Sequence, residues 1–267
     1  MRTGLRQQLS DVATLTFRNL LHIRREPLRL SDATVQPVLF TLLFVYVFGA
    51  AAQIPGGSYK QFAIAGLLAM NLTTSAMGTA VGLCNDLGSG IIDRFRTLPL
   101  WRASILIGRT LADLLTAALC ASFVIGTGLL VGWRPEGSIP DALAAVGLFL
   151  AFSYALSWAC VVLAIFSRDA ESAQGTGLIV LFPLAIVSNA LVPTAHMPGV
   201  LRTIADWNPV SALTCEARKL LHNPNPSASI HSWPMEHPLA ASLAWIALLL
   251  AVFGPLAVAL YKRRTER

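Results

Sequence analysis

Residues 142–167, ALAAVGLFLAFSYALSWACVVLAIFS, decide the fold class, because they run for 26 residues without Asp, Glu, Lys or Arg. An α-helix needs about 20 apolar residues to cross a hydrocarbon layer about 30 Å thick. Five other stretches meet the same condition. The six charge-free windows are residues 33–59, 61–85, 114–133, 142–167, 172–201 and 237–261. The sequence therefore predicts an all-α membrane protein with six transmembrane helices.

The helices themselves are expected inside these windows, once Gly, Pro and polar ends are trimmed. Their predicted positions are residues 33–52, 62–83, 106–131, 142–166, 177–193 and 239–260. The fifth is the weakest, since Pro183 interrupts it and Ser188 and Asn189 lie near its end. Such breaks are tolerated where neighbouring helices satisfy the freed backbone groups. We expect a single transmembrane domain over residues 1–267, with a six-helix core over residues 33–260.

The composition excludes several classes of protein. Hydrophobic residues make up 55% of the chain and charged residues only 13%, against about 25% charged in soluble domains. A chain of this length cannot bury so much apolar surface in one core of its own. A soluble enzyme, a disordered chain and a disulfide scaffold are therefore excluded. The four cysteines have no paired spacing, so neither a disulfide framework nor a metal site is indicated.

The basic residues predict the orientation in the membrane. If the N-terminus is cytoplasmic, fifteen of the 20 Lys and Arg residues lie on the inner side. The five on the outer side are Lys60, Arg134, Arg202, Arg218 and Lys219. Cytoplasmic loops carry such an excess of Lys and Arg. We therefore expect a multi-pass protein of the cytoplasmic membrane with both termini inside, including a basic tail at residues 261–267. The net charge of +6 then requires no nucleic acid partner.

Residues 1–32 predict an amphipathic helix that lies in the cytoplasmic interface. Apolar side chains recur at steps of three and four residues, and Arg6, Arg18 and Arg25 fall elsewhere on the helical wheel. Pro27 is expected to end this helix and turn the chain toward the first span. The alternative is a basic tail that merely obeys the positive-inside rule.

Two connections between the spans have patterns of their own. Residues 84–104 form the longest cytoplasmic loop, in which IIDRFR predicts a short amphipathic helical turn. This turn is either a docking contact or an ordinary interfacial loop. The outer segment 194–236 has apolar spacing for two short helices or a re-entrant hairpin, broken at Asn208–Pro209, and then reads as irregular. The two interpretations are a gate at an outer exit and a cap over the helices, and a structured, partly helical outer cap is expected.

The chemistry of a self-sufficient enzyme or pump is missing from the sequence. Asp113 is the only acid well inside a predicted span, and Arg109 lies four residues before it, which permits pairing. Both are near the cytoplasmic end of the third helix, which favours a snorkelling structural pair. None of the three lysines follows a glycine, so the phosphate-binding GxxxxGK[ST] loop is absent. We expect no catalytic residue, cofactor or metal in this chain, and energy from a separate ATPase.

Three blocks of the sequence resemble the permeases of type-2 ABC transporters, most of all the daunorubicin-resistance branch of ATP-driven exporters. The first block is QPVLF at residues 36–40, continued by Phe44, Val47, Phe48 and Gly49. The second is DRFRTLP at residues 93–99, followed by Arg102 and Ala103. The third comprises LVP at residues 191–193, Met197–Pro198, Asn208–Pro209 and Arg218. They occur in the family's order over nearly the whole chain.

The resemblance implies partners and a role for the cytoplasmic loop. Family members pack two permeases, identical or paralogous, with two copies of an ABC ATPase that binds ATP and Mg. The loop between spans two and three meets the ATPase in that family. The resemblance therefore implies that the ATPase-coupling residues of this chain are Asp86, Gly90, Asp93, Arg94, Phe95 and Arg96. Family members often carry a further acid before the glycine, where this chain has Asn85 beside Asp86.

Polar and aromatic side chains inside the spans are candidates for the substrate pathway, which is expected between the two permeases. The candidates are Phe40, Phe44, Asn71, Thr74, Ser153, Tyr154 and Ser157. The alternative is that the hydroxyls make hydrogen bonds between helices of one permease and that the Phe residues pack or face lipid. We expect a permease subunit that moves an amphiphilic drug or lipid-like substrate outward. The competing interpretations are a permease for a polar glycan or lipid-linked saccharide and a non-transporting membrane scaffold.

Overall fold

The computed structural model describes residues 5–25, 27–51, 57–89, 102–194, 197–226 and 231–266. These residues are almost entirely helical, and none of them forms a β-sheet. The helices are α1 Leu5–Arg25, α2 Pro27–Leu43, a π-helical turn Phe44–Phe48, α3 Gly49–Ala51, α4 Tyr59–Ser75, α5 Met77–Gly88, α6 Arg102–Leu130, α7 Ile139–Phe166, α8 Ala170–Ile186, α9 Gly199–Trp207, α10 Pro209–Leu220, α11 Trp233–Glu236 and α12 Pro238–Glu266.

Five helical stretches of the described residues are long and apolar enough to cross a membrane. They are Leu30–Phe48, Tyr59–Gly88, Ala103–Leu130, Ile139–Phe166 and Pro238–Arg263. They correspond to the predicted spans one to four and six. The second is two helices in sequence, since α4 and α5 meet at Ala76. The chain is therefore a multi-pass membrane protein with an all-helical fold.

The position predicted for the fifth span, residues 177–193, is wrong by seven residues at each end. The helix α8 runs over Ala170–Ile186 and has 17 residues. It begins early because the Asp169 carboxylate accepts a hydrogen bond from the Ser172 N–H at 2.7 Å, and the Ser172 side chain caps Asp169 in return. Pro183 does not interrupt the helix but lies in its last turn.

Several other predicted boundaries also fall short, because helices continue past the apolar windows into charged flanks. The structure starts α2 at Pro27, so residues 27–32 belong to the helix of the first span. The predicted loop 84–104 is shorter, because α5 continues to Gly88 and α6 starts at Arg102. Likewise, α12 extends to Glu266 through most of the predicted tail. The helical turn predicted at IIDRFR lies outside the described residues.

The centre of the molecule is formed by α4 and α7. In the second span, which contains α4, and in the fourth, which is α7, 67% of the most apolar stretch is buried. The corresponding share is 22% in the first span and 11% in the last. Phe62 and Leu67 of α4 and Phe149 and Phe152 of α7 are almost completely buried in the shared core. Around this pair pack α5, α6, α8 and α12. The first and last spans thus leave most of their apolar surface uncovered by the chain itself.

The outer segment contains the two short helices that its spacing predicts. The helices α9 and α10 meet at Asn208–Pro209, as expected. Proline suits the first turn of a helix, and the Asn208 side chain caps α10 by accepting a hydrogen bond from the Val210 N–H at 2.8 Å. The stretch that was expected to be irregular holds one further helical turn, α11.

Candidate functional site

Four charged side chains form a cluster where α1, α5 and α6 meet. The Arg109 Nε donates to the Asp113 carboxylate at 3.1 Å, and its Nη1 lies 3.8 Å from the Asp86 carboxylate. The same Asp86 oxygen lies 3.4 Å from Nη2 of Arg18 on α1. We call Arg18, Asp86, Arg109 and Asp113 the charged cluster. It contains two cations and two anions, so their charges balance.

The predicted pair of Arg109 and Asp113 is present, but it does not snorkel toward water. Only 7% of the Arg109 side chain and 12% of the Asp113 side chain are exposed. The Arg109 Nη2 also donates to the Gly78 carbonyl at 3.0 Å. Room for the guanidinium comes from Gly82, where a Cβ atom would overlap it. The arginine is thus held between α5 and α6 rather than at the interface.

A cavity of about 270 Å³, lined in part by polar side chains, adjoins this cluster. It lies among α2, α4, α5, α6 and α8, and Arg109 and Asp113 belong to its wall. Its other polar lining residues are Asp32, Gln36, Asn71, Thr74, Ser75, Thr116 and Gln174. We call it the large cavity, because it is larger than the cavity that shares its wall. Its volume is close to the lower end of the range for small-molecule pockets, about 300–1,000 Å³.

A second, more apolar cavity of about 150 Å³ shares part of this wall. Gln36, Asn71, Thr74 and Met77 line both cavities. The remaining lining residues of this small cavity are Phe40, Met70, Leu178, Leu181 and Phe182. Polar side chains are therefore more numerous around the large cavity than around the small one.

The structure brings three of the predicted pathway residues together at this wall. Phe40, Asn71 and Thr74 all line the small cavity. Phe44 stacks between Phe40 and Phe48, with ring centroids 6.2 Å and 4.8 Å apart, respectively. Their role in a substrate pathway stays a prediction.

The other three predicted pathway residues lie on α7, away from both cavities. The Ser153 hydroxyl donates to the Leu72 carbonyl of α4 at 3.1 Å, which joins two helices of one chain. Ser157 donates to the carbonyl of Tyr154 in its own helix, and the Tyr154 ring meets Trp158 edge-on. For Ser153 the geometry matches the alternative of hydrogen bonds between helices of one permease, whereas the Ser157 bond stays within α7.

Of the predicted ATPase-coupling residues, Asp86 is the one that the structure describes. It lies in the last turn of α5 and belongs to the charged cluster. Gly90, Asp93, Arg94, Phe95 and Arg96 lie outside the described residues. Asp86 therefore joins the end of the predicted cytoplasmic loop to α1 through Arg18. Sequence reasoning did not anticipate this contact, which links positions 68 residues apart.

The opposite end of the molecule holds a second buried arginine, Arg218. It is fully buried and donates to the carbonyls of Phe62 at 3.2 Å, Asn189 at 3.0 Å and Ala190 at 2.7 Å. The guanidinium also lies 3.7 Å from the centroid of the Phe62 ring. Burial lowers the pKa of Arg218 to about 9.

Close backbone packing makes this arrangement possible. A Cβ atom at Gly66 would overlap the Ala190 carbonyl that Arg218 binds. The Asn208 Nδ2 adds bonds to the carbonyls of Leu184 at 2.8 Å and Val187 at 2.6 Å, at the end of α8. We call residues 187–194 with α9 and α10 the outer cap. The sequence signals for it were Asn208–Pro209 and Arg218, both in the third block that resembles the family.

The comparisons with known proteins decide the family. The sequence profile of the ABC-2 type transporter family matches residues 10–219. The chain belongs to this family. It is 32% identical over 254 residues to a daunorubicin resistance ABC transporter permease protein of Streptomyces coeruleorubidus, covering 94% of this chain and 87% of the relative.

Two further relatives have related names. A probable doxorubicin resistance ABC transporter permease protein of Mycobacterium tuberculosis is 24% identical, over 93% of this chain and 87% of its own length. A probable multidrug ABC transporter permease of Escherichia coli is 26% identical, over 79% of this chain and 54% of its own length. The resemblance inferred from the three sequence blocks is confirmed. The ABC-2 chain is a permease subunit of an ABC transporter and not its ATPase.

Proposed function

We propose that this ABC-2 permease moves an amphiphilic, drug-like or lipid-like substrate outward across the cytoplasmic membrane. The observation that carries the proposal is the agreement of two features. Relatives that align with nearly the whole chain are named as drug-resistance permeases, and the large and small cavities set polar beside apolar surface. A substrate with both characters fits such a wall better than a uniformly polar saccharide does.

In this proposal α8 is the fifth of six spans, and both termini are cytoplasmic. Its 17 residues extend about 26 Å at 1.5 Å per residue, slightly less than the hydrocarbon thickness of about 30 Å. Local thinning of the bilayer accommodates a difference of this size. The five long apolar helices alone would place the two termini on opposite sides of the membrane. With α8 as an additional span the number of crossings is even, so both termini lie on the same side. Reactivity of single introduced cysteines at both termini toward a membrane-impermeant reagent tests this topology.

The helix α1 lies in the cytoplasmic interface in the same proposal. Leu15 is buried, and its side chain is close to Gly108 of α6. Leu9 and Phe17 are 65% and 62% exposed on the described surface of the chain. An interfacial helix buries such side chains in the acyl boundary, so the apolar exposure of α1 supports this location.

In this proposal the energy for transport comes from ATP bound by a separate ATPase. Two ATPase subunits would bind ATP and Mg and draw together, and the loop after α5 would pass this movement to two permeases as a rigid-body rotation. Asp86, Gly90 and residues 93–96 would carry the contact. Because Asp86 pairs with Arg18, the movement would also reach α1. A second permease and membrane lipid would cover the exposed apolar faces of the first and last spans.

Transport in inside-out vesicles tests the function. The chain is co-expressed with its native gene neighbours, and ATP-dependent uptake of a fluorescent amphiphile is measured. We expect Phe95→Asp to abolish uptake and ATPase stimulation, and Phe95→Leu, which keeps an apolar anchor, to retain most of both. Equal activity of wild type and Phe95→Asp would refute the coupling assignment.

Purification of the tagged chain from the same cells separates the competing functions. Recovery of a stoichiometric ATPase is expected. Recovery of the chain alone, without ATPase activity in lipid, would favour a membrane scaffold. ATP-dependent uptake of a lipid-linked saccharide and not of amphiphiles would favour the glycan permease.

A further inference from the structure

An open groove of about 900 Å³ runs along the C-terminal part of α6, on the side where α2 packs. Ser122, Gly126 and Leu130 of α6 line it at four-residue steps, so they share one face of the helix. Val38 of α2 belongs to the same wall. We call this feature the α2–α6 groove. It shares no lining residue with the large or the small cavity, so the proposed substrate does not account for it.

The surface of this groove suits a hydrocarbon chain. The Ser122 hydroxyl donates to the Ala118 carbonyl at 2.8 Å, and the Thr127 hydroxyl donates to the Phe123 carbonyl at 2.7 Å. A hydroxyl has one hydrogen to donate, so neither group keeps a free donor. The Phe123 side chain is exposed, and a Cβ atom at Gly126 would meet nothing within 4 Å, so the floor of the groove is open. Polar groups beside lipid must be satisfied within the protein, and these hydroxyls are.

The groove has about the length of one lipid leaflet. From Ser122 to Leu130 the helix rises about 12 Å at 1.5 Å per residue. Half of a hydrocarbon layer about 30 Å thick is about 15 Å. Because α6 ends at Leu130, the groove starts at the end of the span and reaches toward its middle. It therefore fits the acyl chain of a lipid whose headgroup lies at the C-terminal end of α6.

An arginine with a free edge lies at that end. Arg134 lines the groove, and its Nη1 donates to the carbonyls of Leu129 at 2.7 Å and Trp133 at 2.9 Å. Its Nε and Nη2 make no hydrogen bond or ion pair with a described residue. These two nitrogens form one edge of the planar guanidinium, which matches two oxygens of a phosphate. Lys60 is a second cation here, since its Nζ would lie 3.4 Å from a Cβ atom at Gly132.

No carboxylate of the described residues occupies the free edge of Arg134. Glu136 and Asp141 follow in the sequence, and neither makes an ion pair with it. The acids whose side chains lie outside the described part belong to the segments before the first span, between the second and third spans, and after the last. In the proposed topology these segments are on the other side of the membrane. These acids are Glu26, Asp93 and Glu266.

We propose that the α2–α6 groove binds an anionic phospholipid. One acyl chain lies along α6 between Ser122 and Leu130, and the phosphate accepts hydrogen bonds from Nε and Nη2 of Arg134. A lipid with a net negative headgroup is preferred, because a zwitterionic lipid brings its own cation beside the phosphate. The proposed topology places this lipid in the outer leaflet. Its binding depends neither on export nor on the ATPase.

Photolabelling with two matched lipids tests the site. The full chain is reconstituted in phosphatidylcholine nanodiscs that contain a small fraction of phosphatidylglycerol or phosphatidylcholine with a diazirine on the acyl chain, and peptide mass spectrometry locates the label. We expect the anionic lipid to label residues 122–130 on the order of fivefold more than the zwitterionic one. Leu248 and Val252, exposed on α12, are the internal reference and should be labelled equally by both. Equal labelling by the two lipids at residues 122–130 would overturn the proposal.

Substitution of the cation tests the headgroup contact. Arg134→Gln removes the charge and is expected to abolish the preference for the anionic lipid at residues 122–130. Lys219→Gln is the control, because Lys219 is an exposed cation of α10 that does not line the groove, and it should keep the preference. Equal losses in the two variants would show attraction by general surface charge and would overturn the site.

Filling the groove tests the position of the acyl chain. Gly126→Leu places a side chain on the open floor and should lower labelling of residues 122–130 by both lipids. Gly147→Leu adds the same side chain at an exposed, open position of α7 and should leave that labelling unchanged. Labelling of residues 122–130 that Gly126→Leu did not lower would show that the chain does not lie in the groove.

Two other occupants give different results. Phosphatidylglycerol is expected to raise the unfolding temperature of the detergent-solubilised chain more than glycerol 3-phosphate at the same concentration. Equal shifts would show a site for a free anion and would overturn the lipid. A disulfide between two copies of the Gly126→Cys chain in membranes, with no lipid label at residues 122–130, would show that a second permease covers the groove and would overturn it as well.

Discussion

The two buried arginines of the molecule are compensated in different ways. Arg109 faces two carboxylates, Asp86 and Asp113, on helices that end toward the predicted cytoplasmic loop. Arg218 faces three main-chain carbonyls and the Phe62 ring inside the outer cap. Burial of a charge is costly unless it is paired and hydrogen-bonded. Arg109 is paired with carboxylates and also donates to the Gly78 carbonyl, whereas Arg218 is compensated by its hydrogen bonds to main-chain carbonyls.

The difference suggests different mechanical roles for the two ends. Side-chain ion pairs can exchange partners, and 35% of the Arg18 side chain is exposed at the edge of the charged cluster. Main-chain carbonyls are fixed by the helices and turns that carry them. We therefore infer that the outer cap is the rigid end and the charged cluster the adjustable end. The substitutions below test this difference, from the largest expected effect to the smallest.

Replacement of Arg218 is expected to have the largest effect. In Arg218→Met the hydrogen bonds to three buried carbonyls are lost, and loss of a buried hydrogen-bond partner costs about 1–3 kcal/mol. We expect the free energy of unfolding to fall by about 3 kcal/mol or more. Thermal unfolding in detergent, followed by size-exclusion chromatography, measures the loss.

An intermediate variant and a control variant complete this test. Arg218→Lys keeps a charge but not the planar fork of donors or the stacking on Phe62, so an intermediate loss is expected. Lys219→Met, the exposed neighbour on the same helix, is the control and should unfold like wild type. If Arg218→Met were as stable as Lys219→Met, the outer cap would not depend on the guanidinium.

Gly82→Ala tests the packing of the Arg109 guanidinium against α5. The added Cβ atom would overlap the guanidinium, so Arg109 must move away from the Gly78 carbonyl and its carboxylates. Overpacking of this kind costs about 1–3 kcal/mol. The matched control is Gly78→Ala in the same helix, where a Cβ atom meets nothing within 4 Å. That variant should be neutral or slightly stabilised, since Ala favours helix over Gly. Equal unfolding temperatures for the two variants would contradict the packing shown at Gly82.

Much of the fold could be predicted because its signals are local. The charge-free windows predicted the order of the long helices, and the four-residue spacing predicted the Arg109–Asp113 pair. The break at Asn208–Pro209 likewise predicted the two short helices of the outer cap. The start of α8 was missed because the Asp169–Ser172 capping box, and not the apolar run, sets it.

The candidate site could be predicted only in part, because its signals are not local. The carbonyls that bind Arg218 have no sequence signature, and that of Phe62 lies 156 positions away. The contact of Asp86 with Arg18 spans 68 positions. A polar residue in a span faces either a cavity or a neighbouring helix, and periodicity does not separate Thr74 from Ser153. Packing of several helices decides between the two.

Asp86→Asn tests whether the charged cluster, the adjustable end of the molecule, takes part in transport. The change removes the anion shared by Arg18 and Arg109 while it keeps the shape of the side chain. A partly exposed ion pair contributes about 0.2–1 kcal/mol, so we expect a small loss of stability but a clear loss of ATP-dependent transport. A double-mutant cycle with Arg18→Gln measures the coupling between the two positions. Additive effects of the two changes on transport would show that α1 is not coupled to the end of α5 through this pair.

The smallest effect is expected at the capped start of α8, where Asp169 and Ser172 contact neither Arg109 nor Arg218. Hydrogen bonds from the Ser172 backbone N–H and then its side chain lower the pKa of the exposed Asp169 carboxyl below its ordinary value. A carboxyl whose pKa is lower in the folded state stabilises the fold above its unfolded pKa, about 3.9, and loses that contribution as the pH falls through the folded pKa. Asp169→Asn keeps a capping side chain without the charge. Its unfolding temperature should therefore lie slightly below that of wild type at pH 7 and approach it in acid. Asp169→Ala, which removes the cap as well, should stay lower throughout. A gap between Asp169→Asn and wild type that did not narrow in acid would mean that the carboxylate charge does not stabilise this helix start.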